Sequence, residues 1–204
     1  MFLYKLHQHK ILILDFGSQY TQLIARKIRE SNVHSIILPY DCSSDLIKKY
    51  SVKGIVLSGG PSSVYENDSP YLQSNIYNYN VPILGICYGF QLLVKYFDGS
   101  VESSGKAEYG RANIKFDNKS KLFFDLNDTT DVWMSHGDKV TKTPNRWNVV
   151  SKSENDVIAA AENEKDAIYG VQFHPEVVHS LKGNEIIKNY LFNICRMDSS
   201  WTSE

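Results

Sequence analysis

The sequence predicts an α/β fold: an open, mostly parallel sheet with helices on both faces and a more antiparallel C-terminal half. Three observations carry this. In the first hundred residues, short continuous apolar runs alternate with amphipathic stretches, the pattern of parallel βαβ units whose strands are covered on both sides. In the second half, strand-like segments follow one another with only turn residues between them. Finally, 204 residues with 42% apolar side chains suffice for roughly one domain with a sizeable core.

The elements follow in chain order. Lys10-Ile-Leu-Ile-Leu-Asp15 reads as a buried strand that stops at Gly17-Ser18. Tyr20, Leu23, Ile24 and Ile28 then recur at helical spacing, with Arg26, Lys27, Arg29 and Glu30 on the opposite face. Ser35 to Pro39 is a second strand, and Ser43 or Ser44 caps a short helix through Tyr50. Gly54 to Ser58 is a third strand, ended by Gly59-Gly60-Pro61; a helix is expected over Pro70 to Asn80. Pro82 to Ile86 is a fourth strand, and Tyr88 to Phe97 a helix with Phe90, Leu93, Val94 and Phe97 on one face. Strands are then expected at Ala112–Phe116, Asp131–Ser135, Trp147–Lys152, Val157–Ala161 and Ala167–Phe173, with Asn163 to Asp166 turning between the last two. A closing helix carries Ile186, Ile187, Tyr190, Leu191 and Ile194, and the polar tail from Asp198 to Glu204 is too short to fold alone.

Composition excludes several classes. Lysine and arginine number 22 against 23 acidic residues, a net of −1, which gives no support for nucleic-acid or anionic-membrane binding. No apolar run approaches the ~20 residues of a membrane helix. Met1 to Lys10 is short and broken by lysines and histidines, unlike a signal peptide. Cys42, Cys87 and Cys195 are far apart and lack metal-ligand spacing, which points to a reducing, cytoplasmic setting.

Chemistry concentrates at Gly85-Ile-Cys87-Tyr-Gly89, between an expected strand and an expected helix. A nucleophile on so tight a turn needs small neighbours, as in the serine elbow of hydrolases. A helix N-terminus also favours negative charge on the thiol. The competing reading, a buried small hydrophobe, suits most free cysteines, and Cys42 and Cys195 are read that way. A cysteine nucleophile wants a base, and His174 stands out in Gln172-Phe-His174-Pro-Glu176, just past a strand. Glu176 can reach an imidazole nitrogen and act as the third member of a triad; the alternative is a surface His-Pro-Glu turn. His7, His9 and His179 sit in polar surroundings and read as solvated. The Gly59-Gly60-Pro61 loop allows backbone N–H groups close to a ligand, as an oxyanion hole requires, or is an ordinary turn. Neither GxxxxGK[ST] nor GxGxxG is present at this loop. In Trp133-Met-Ser135-His136-Gly137-Asp138, His136 and Asp138 could serve a metal, but no third ligand has recognisable spacing.

In this order along the chain, these motifs resemble the class I, triad-type glutamine amidotransferase domains, with a GGP-like loop, a GxCxG elbow followed by Gln91, and a C-terminal His-Pro-Glu. The resemblance implies a flavodoxin-like sheet and covers nearly the whole chain, with residues 1–197 as the domain. Asp15-Phe-Gly-Ser-Gln-Tyr20, Leu57 to Ser62, Cys87 to Gln91, Glu108-Tyr-Gly110 and Trp133 to Asp138 look like the glutaminase domains of the GMP synthetases. Phe90 stands where that group commonly has methionine. Trp201-Thr202, within a tail of residues 198–204, resembles the start of their linker to an ATP-pyrophosphatase domain.

The resemblance assigns roles. Cys87, His174 and Glu176 are the catalytic triad. Gly60 and Tyr88 supply oxyanion-hole N–H groups, and Gln91, Ser135, His136 and Gly137 hold the two ends of L-glutamine. Glu108 and Asp138 are expected at the contact with the ATP-pyrophosphatase domain, because ammonia must leave the Cys87 site towards it. No cofactor is implied for this chain; ATP and Mg are implied only for that second domain, and a homodimer is a candidate assembly of the full enzyme. Three other readings stand beside it: the same glutaminase chemistry for another acceptor, a cysteine peptidase on a similar core, and a non-catalytic regulatory or docking domain.

Overall fold

The computed structural model describes residues 9–72, 74–126 and 129–202, leaving aside the side chains of residues 74, 75, 77 and 104–108. A single nine-stranded sheet runs through it. Its strands are β1 (Lys10–Asp15), β2 (Ser35–Pro39), β3 (Val52–Leu57), β4 (Ile83–Ile86), β5 (Ser100–Phe116), β6 (Thr129–Lys142), β7 (Asn148–Ser153), β8 (Ile158–Asn163) and β9 (Ile168–Val171). The spatial order is β2-β1-β3-β4-β9-β8-β7-β5-β6. The pairings from β2 through to β9 are parallel, and those from β9 through to β6 are antiparallel. The parallel character thus belongs to the first four strands and to β9, which returns from the C-terminal half to lie beside β4.

Side-chain alternation along the parallel strands sorts the core into two layers. Ile11, Ile13, Val56, Leu84, Ile86 and Val171 face helices α1 (Thr21–Glu30) and α4 (Gly183–Lys188), meeting Ile24, Ile28, Ile186 and Ile187. Leu12, Leu14, Ile55, Leu57 and Ile83 face α2 (Ser44–Lys48) and α3 (Tyr88–Tyr96), meeting Ile47, Phe90, Leu93 and Val94. Ser43 caps α2, accepting the N–H of Leu46 as its position before the helix requires. The β8–β9 hairpin turns where expected, and Asn163 closes it with bonds to Asp166.

Three expectations are revised. Pro70–Asn80 is no full helix but a 3₁₀ segment, Ser74–Tyr79, because its asparagines and tyrosines are poor helix formers. The strands expected at Ala112–Phe116 and Asp131–Ser135 are the inner parts of the much longer β5 and β6. The closing helix stops being α-helical at Lys188 and continues as a wider π turn, Asn189–Ile194. The tail leans on the domain: the Trp201 N–H donates to the Asn32 carbonyl and its ring stacks on His34. Among the described residues no helix is long and apolar enough to cross a membrane.

Candidate active site

Cys87 sits where β4 hands over to α3. Its backbone is in a left-handed region, φ +51° and ψ −105°, which costs a non-glycine residue about 1–3 kcal/mol. Two bonds hold it there. Its own N–H donates to the Val171 carbonyl on β9 (2.8 Å), and the Gly89 N–H donates to the Ser58 carbonyl after β3 (3.1 Å). The flanking glycines are a steric necessity. A Cβ at Gly85 would lie 2.7 Å from the Gly89 backbone, and one at Gly89 would lie 2.5 Å from the Leu57 carbonyl oxygen. The thiol is buried, its Sγ 3.6 Å from the Ser135 carbonyl oxygen and 3.8 Å from Gln172 Nε2.

His174 and Glu176 follow β9. The His174 N–H donates to the Trp133 carbonyl (3.0 Å), and Ser180 Oγ donates to the His174 carbonyl (2.5 Å) while accepting the Trp133 N–H (3.0 Å). These bonds fix the imidazole against β6. Its Nδ1 is 2.7 Å from Glu176 Oε1, and both residues are buried. Tyr20 presents its ring edge-on to the imidazole, 5.1 Å between centroids. Burial is the largest single influence and opposes the charged imidazole, but the Glu176 carboxylate and the influences that act with it together outweigh burial. Hydrogen bonds to Cys87 and Glu176 add to this, and the His174 pKa is pushed up to about 10. A Cβ at Gly59 would lie 3.0 Å from His174 Cε1 and 3.7 Å from Cys87 Cβ, so the absence of a side chain there lets thiol and imidazole share one space.

A cleft of about 520 Å³ opens above Cys87 at the C-terminal ends of the parallel strands, where open α/β sheets place their sites. Gly17 to Tyr20 after β1, Gly60 to Ser63 after β3, the elbow after β4 and His174 after β9 form one side. Tyr109 of β5 and Ser135 to Asp138 of β6 form the other. The loop after β1 is shaped by Asp15, whose carboxylate accepts from the Gly17 N–H and the Thr21 hydroxyl. A Cβ at Gly60 would lie 2.7 Å from the Phe16 carbonyl oxygen. No backbone acceptor takes the N–H of Gly60 or of Tyr88 among the described residues, so both can serve an incoming oxyanion.

The structure gathers Gly60, Cys87, Tyr88, Gln91, Ser135, His136, Gly137, Asp138 and His174 around this one cleft. Gln91 donates to the Asp138 carbonyl (2.8 Å), which leaves its own carbonyl oxygen for a ligand. Asp138 is no free surface charge: its carboxylate accepts from the Ser63 hydroxyl at 2.5 Å and ties β6 to the loop after β3. The Glu108 side chain lies outside the described residues; its backbone pairs with His136. Cys42 and Cys195 are buried free thiols remote from the cleft. His9 is exposed as read, beside Ser51, whereas His179 packs on Trp133 at 4.7 Å because the turn after Glu176 folds back on β6. His7 lies outside the described residues. No group of three metal-ligating side chains converges among the described residues. Sequence reading gave no role to Tyr20, Ser63 or Gln172. Only the place of Gln172, two residues before His174, hinted at its position.

A thiol, an imidazole held by a carboxylate and two unclaimed N–H groups suit acyl transfer through a thioester. Residues 12–194 match the family model described as "Glutamine amidotransferase class-I". The chain belongs to the class-I glutamine amidotransferase family. This amidotransferase domain is 50% identical over 192 residues to "GMP synthase [glutamine-hydrolyzing]" of Brachyspira hyodysenteriae, covering 94% of the chain and 37% of that protein. It is also 50% identical over 195 residues to the protein of that name from Prochlorococcus marinus, covering 95% of the chain and 37% of the relative. The domain thus spans little more than a third of the length of these relatives. A crystal structure of a putative GMP synthase subunit from Thermoplasma acidophilum superposes with a TM-score of 0.83 at 30% identity, covering 93% of this chain and 94% of that one. A glutamine amidotransferase from Thermotoga maritima shares the fold, with a TM-score of 0.65 at 23% identity over 95% and 87% of the two chains.

Proposed function

We propose that this domain hydrolyses L-glutamine to glutamate and ammonia, and that the ammonia aminates XMP on an ATP-pyrophosphatase domain of a GMP synthetase. The observation that carries this is the buried Cys87 thiol sharing one cleft with the His174–Glu176 pair. Cys87 passes its proton to His174 and attacks the side-chain amide carbon of glutamine as a thiolate. The N–H groups of Gly60 and Tyr88 receive the oxyanion. The His174 imidazolium protonates the departing nitrogen, ammonia leaves, and a γ-glutamyl thioester remains. Water then attacks the thioester with His174 as base, releasing glutamate and the thiolate. Glu176 orients the imidazole and stabilises its charge. Gln91, Ser135, His136 and Gly137 hold the α-amino and α-carboxylate groups.

XMP, ATP and Mg belong to the second domain, and the cleft mouth near Glu108 and Asp138 faces it. Residues 1–197 make up the glutaminase domain in this reading, 198–204 lead toward the partner, and the setting is the cytoplasm. The test is glutamate release from glutamine by this chain alone and with a GMP-synthetase ATP-pyrophosphatase domain, XMP, ATP and Mg added. A glutamine-like diazo-ketone should label Cys87 and spare Cys42 and Cys195, and the added domain should stimulate turnover. Equal labelling of all three thiols, or no glutamate release in either setting, would overturn the reading.

A further inference from the structure

We propose that Gln172 is a fourth catalytic residue, a buried carboxamide that donates an N–H to the Cys87 sulfur and favours its thiolate form. The proposal rests on Cys87 being the nucleophile. Gln172 is completely buried, and its backbone N–H is already committed to the Ala159 carbonyl at 2.8 Å. A primary amide in such a place is costly unless its donors and acceptor are matched.

The matching fixes which way the amide points. Gln91 Nε2 lies 2.8 Å from the Asp138 carbonyl oxygen, so that atom must be the nitrogen. The same Nε2 lies 3.4 Å from Gln172 Oε1, so the facing atom of Gln172 must be its oxygen. That leaves Gln172 Nε2 toward Cys87 Sγ at 3.8 Å. Flipping either amide would set donor against donor or acceptor against acceptor. The order of bonds therefore runs from the β6 main chain through two amides to the sulfur.

A methionine or leucine would fill this volume without any polar cost. The amide is useful only if the atom it faces carries charge, because an N–H bond to an anion is roughly twice as strong as one to a neutral acceptor. The Cys87 sulfur is that atom, neutral as a thiol and negative when it attacks. The Ser135 carbonyl, 3.6 Å from Sγ, accepts the S–H of the neutral form; the Gln172 donor opposes it by favouring the other.

The test compares the parent with Gln172→Met and Gln172→Glu. Alkylation of Cys87 by iodoacetamide is followed across pH by peptide mapping, alongside glutaminase kinetics. Removing one hydrogen bond to a charged group should move the alkylation midpoint upward by about one pH unit in Gln172→Met, roughly tenfold in thiolate population. Gln172→Glu, which places an anion beside the sulfur, should move it further. In both, kcat should fall more than KM rises. In the unmutated protein, the ¹⁵N–¹H signal of the Gln172 side chain should titrate with the same midpoint as Cys87 alkylation. An unmoved midpoint in a folded variant, or a Gln172 signal that ignores the titration, overturns the proposal. Selective diazo-ketone labelling of Cys87 alongside either result would leave the glutaminase reading standing, so the two failures are distinguishable.

Discussion

The strands β4 and β9 are four residues each and buried along their whole length, whereas β5 and β6 run to 17 and 14 residues, β6 alternating between buried and exposed positions. The short strands lie between helices on both faces; the long pair is a two-stranded arm packed into the core at both ends, through Val101 and Val140 at one and Ile114 and Val132 at the other. Each contributes differently to the cleft. The short strands deliver Cys87, the Tyr88 N–H and His174, and the loop after β3 adds the Gly60 N–H. The arm delivers Tyr109 and the Ser135–Asp138 wall. The contrast implies a division of labour: substitutions at the short strands should destroy chemistry, and substitutions on the arm should alter grip.

The largest effect should come from the elbow. Cys87→Ala should show no detectable turnover in a glutamate-release assay while remaining folded. Cys87→Gly should be equally inactive yet melt at a higher temperature than Cys87→Ala, reversing the usual order, because glycine relieves the positive φ. Equal melting temperatures would mean the turn carries no strain. Gly89→Ala comes next. Its Cβ meets Leu57 backbone and side chain that cannot retreat, so α3 must shift; a displacement of ~1 Å at the nucleophile costs ~10²-fold in kcat/KM. Retention of more than half the parent activity would contradict this.

For the arm, Ser63→Ala in the loop after β3 cuts the tie to Asp138 of β6. A hydrogen bond worth about 1 kcal/mol predicts a rise of roughly fivefold in KM for glutamine, with kcat changed less. A fall in kcat alone would place Ser63 in the chemistry instead. The smallest effect concerns pH. The folded-state pKa of His174 is raised to about 10, above the ordinary ~6.5 of an unfolded histidine. Its pairing with Glu176 therefore stabilises the fold fully below pH ~6.5, and this contribution is lost as pH rises through about 10. The melting temperature of the parent should exceed that of Glu176→Gln most at pH 6 and least at pH 10; a constant difference would refute the charged pair.

The same contrast explains what was legible in the sequence. β1 and β2 coincide with their expected limits: β1 is buried and a continuous apolar run, and the apolar run of the edge strand β2 ends at Pro39. The middle of β5, Glu102 to Arg111, is mostly polar and glycine-containing, and its pairing with β6 is set by tertiary position, so no local pattern announced it. The site divides likewise. Cys87, His174 and Glu176 were readable because tight turns and a two-residue spacing are local facts. The Ser63–Asp138 tie and the contact of Gln172 with Cys87 join residues 75 and 85 positions apart, and only the closed sheet brings them together.

The place of β9 beside β4 also gives catalytic competence a time of arrival. During synthesis the elbow leaves the ribosome long before Val171 and His174 do. Until β9 inserts, β4 has an open edge, the Cys87 N–H lacks the Val171 carbonyl, and the thiol has no base within reach. Such non-local pairing is among the slower steps of folding. On the proposed function, the nascent protein therefore carries an inert cysteine until β9 inserts, and the strand that completes the sheet is the one that gives the thiol its base.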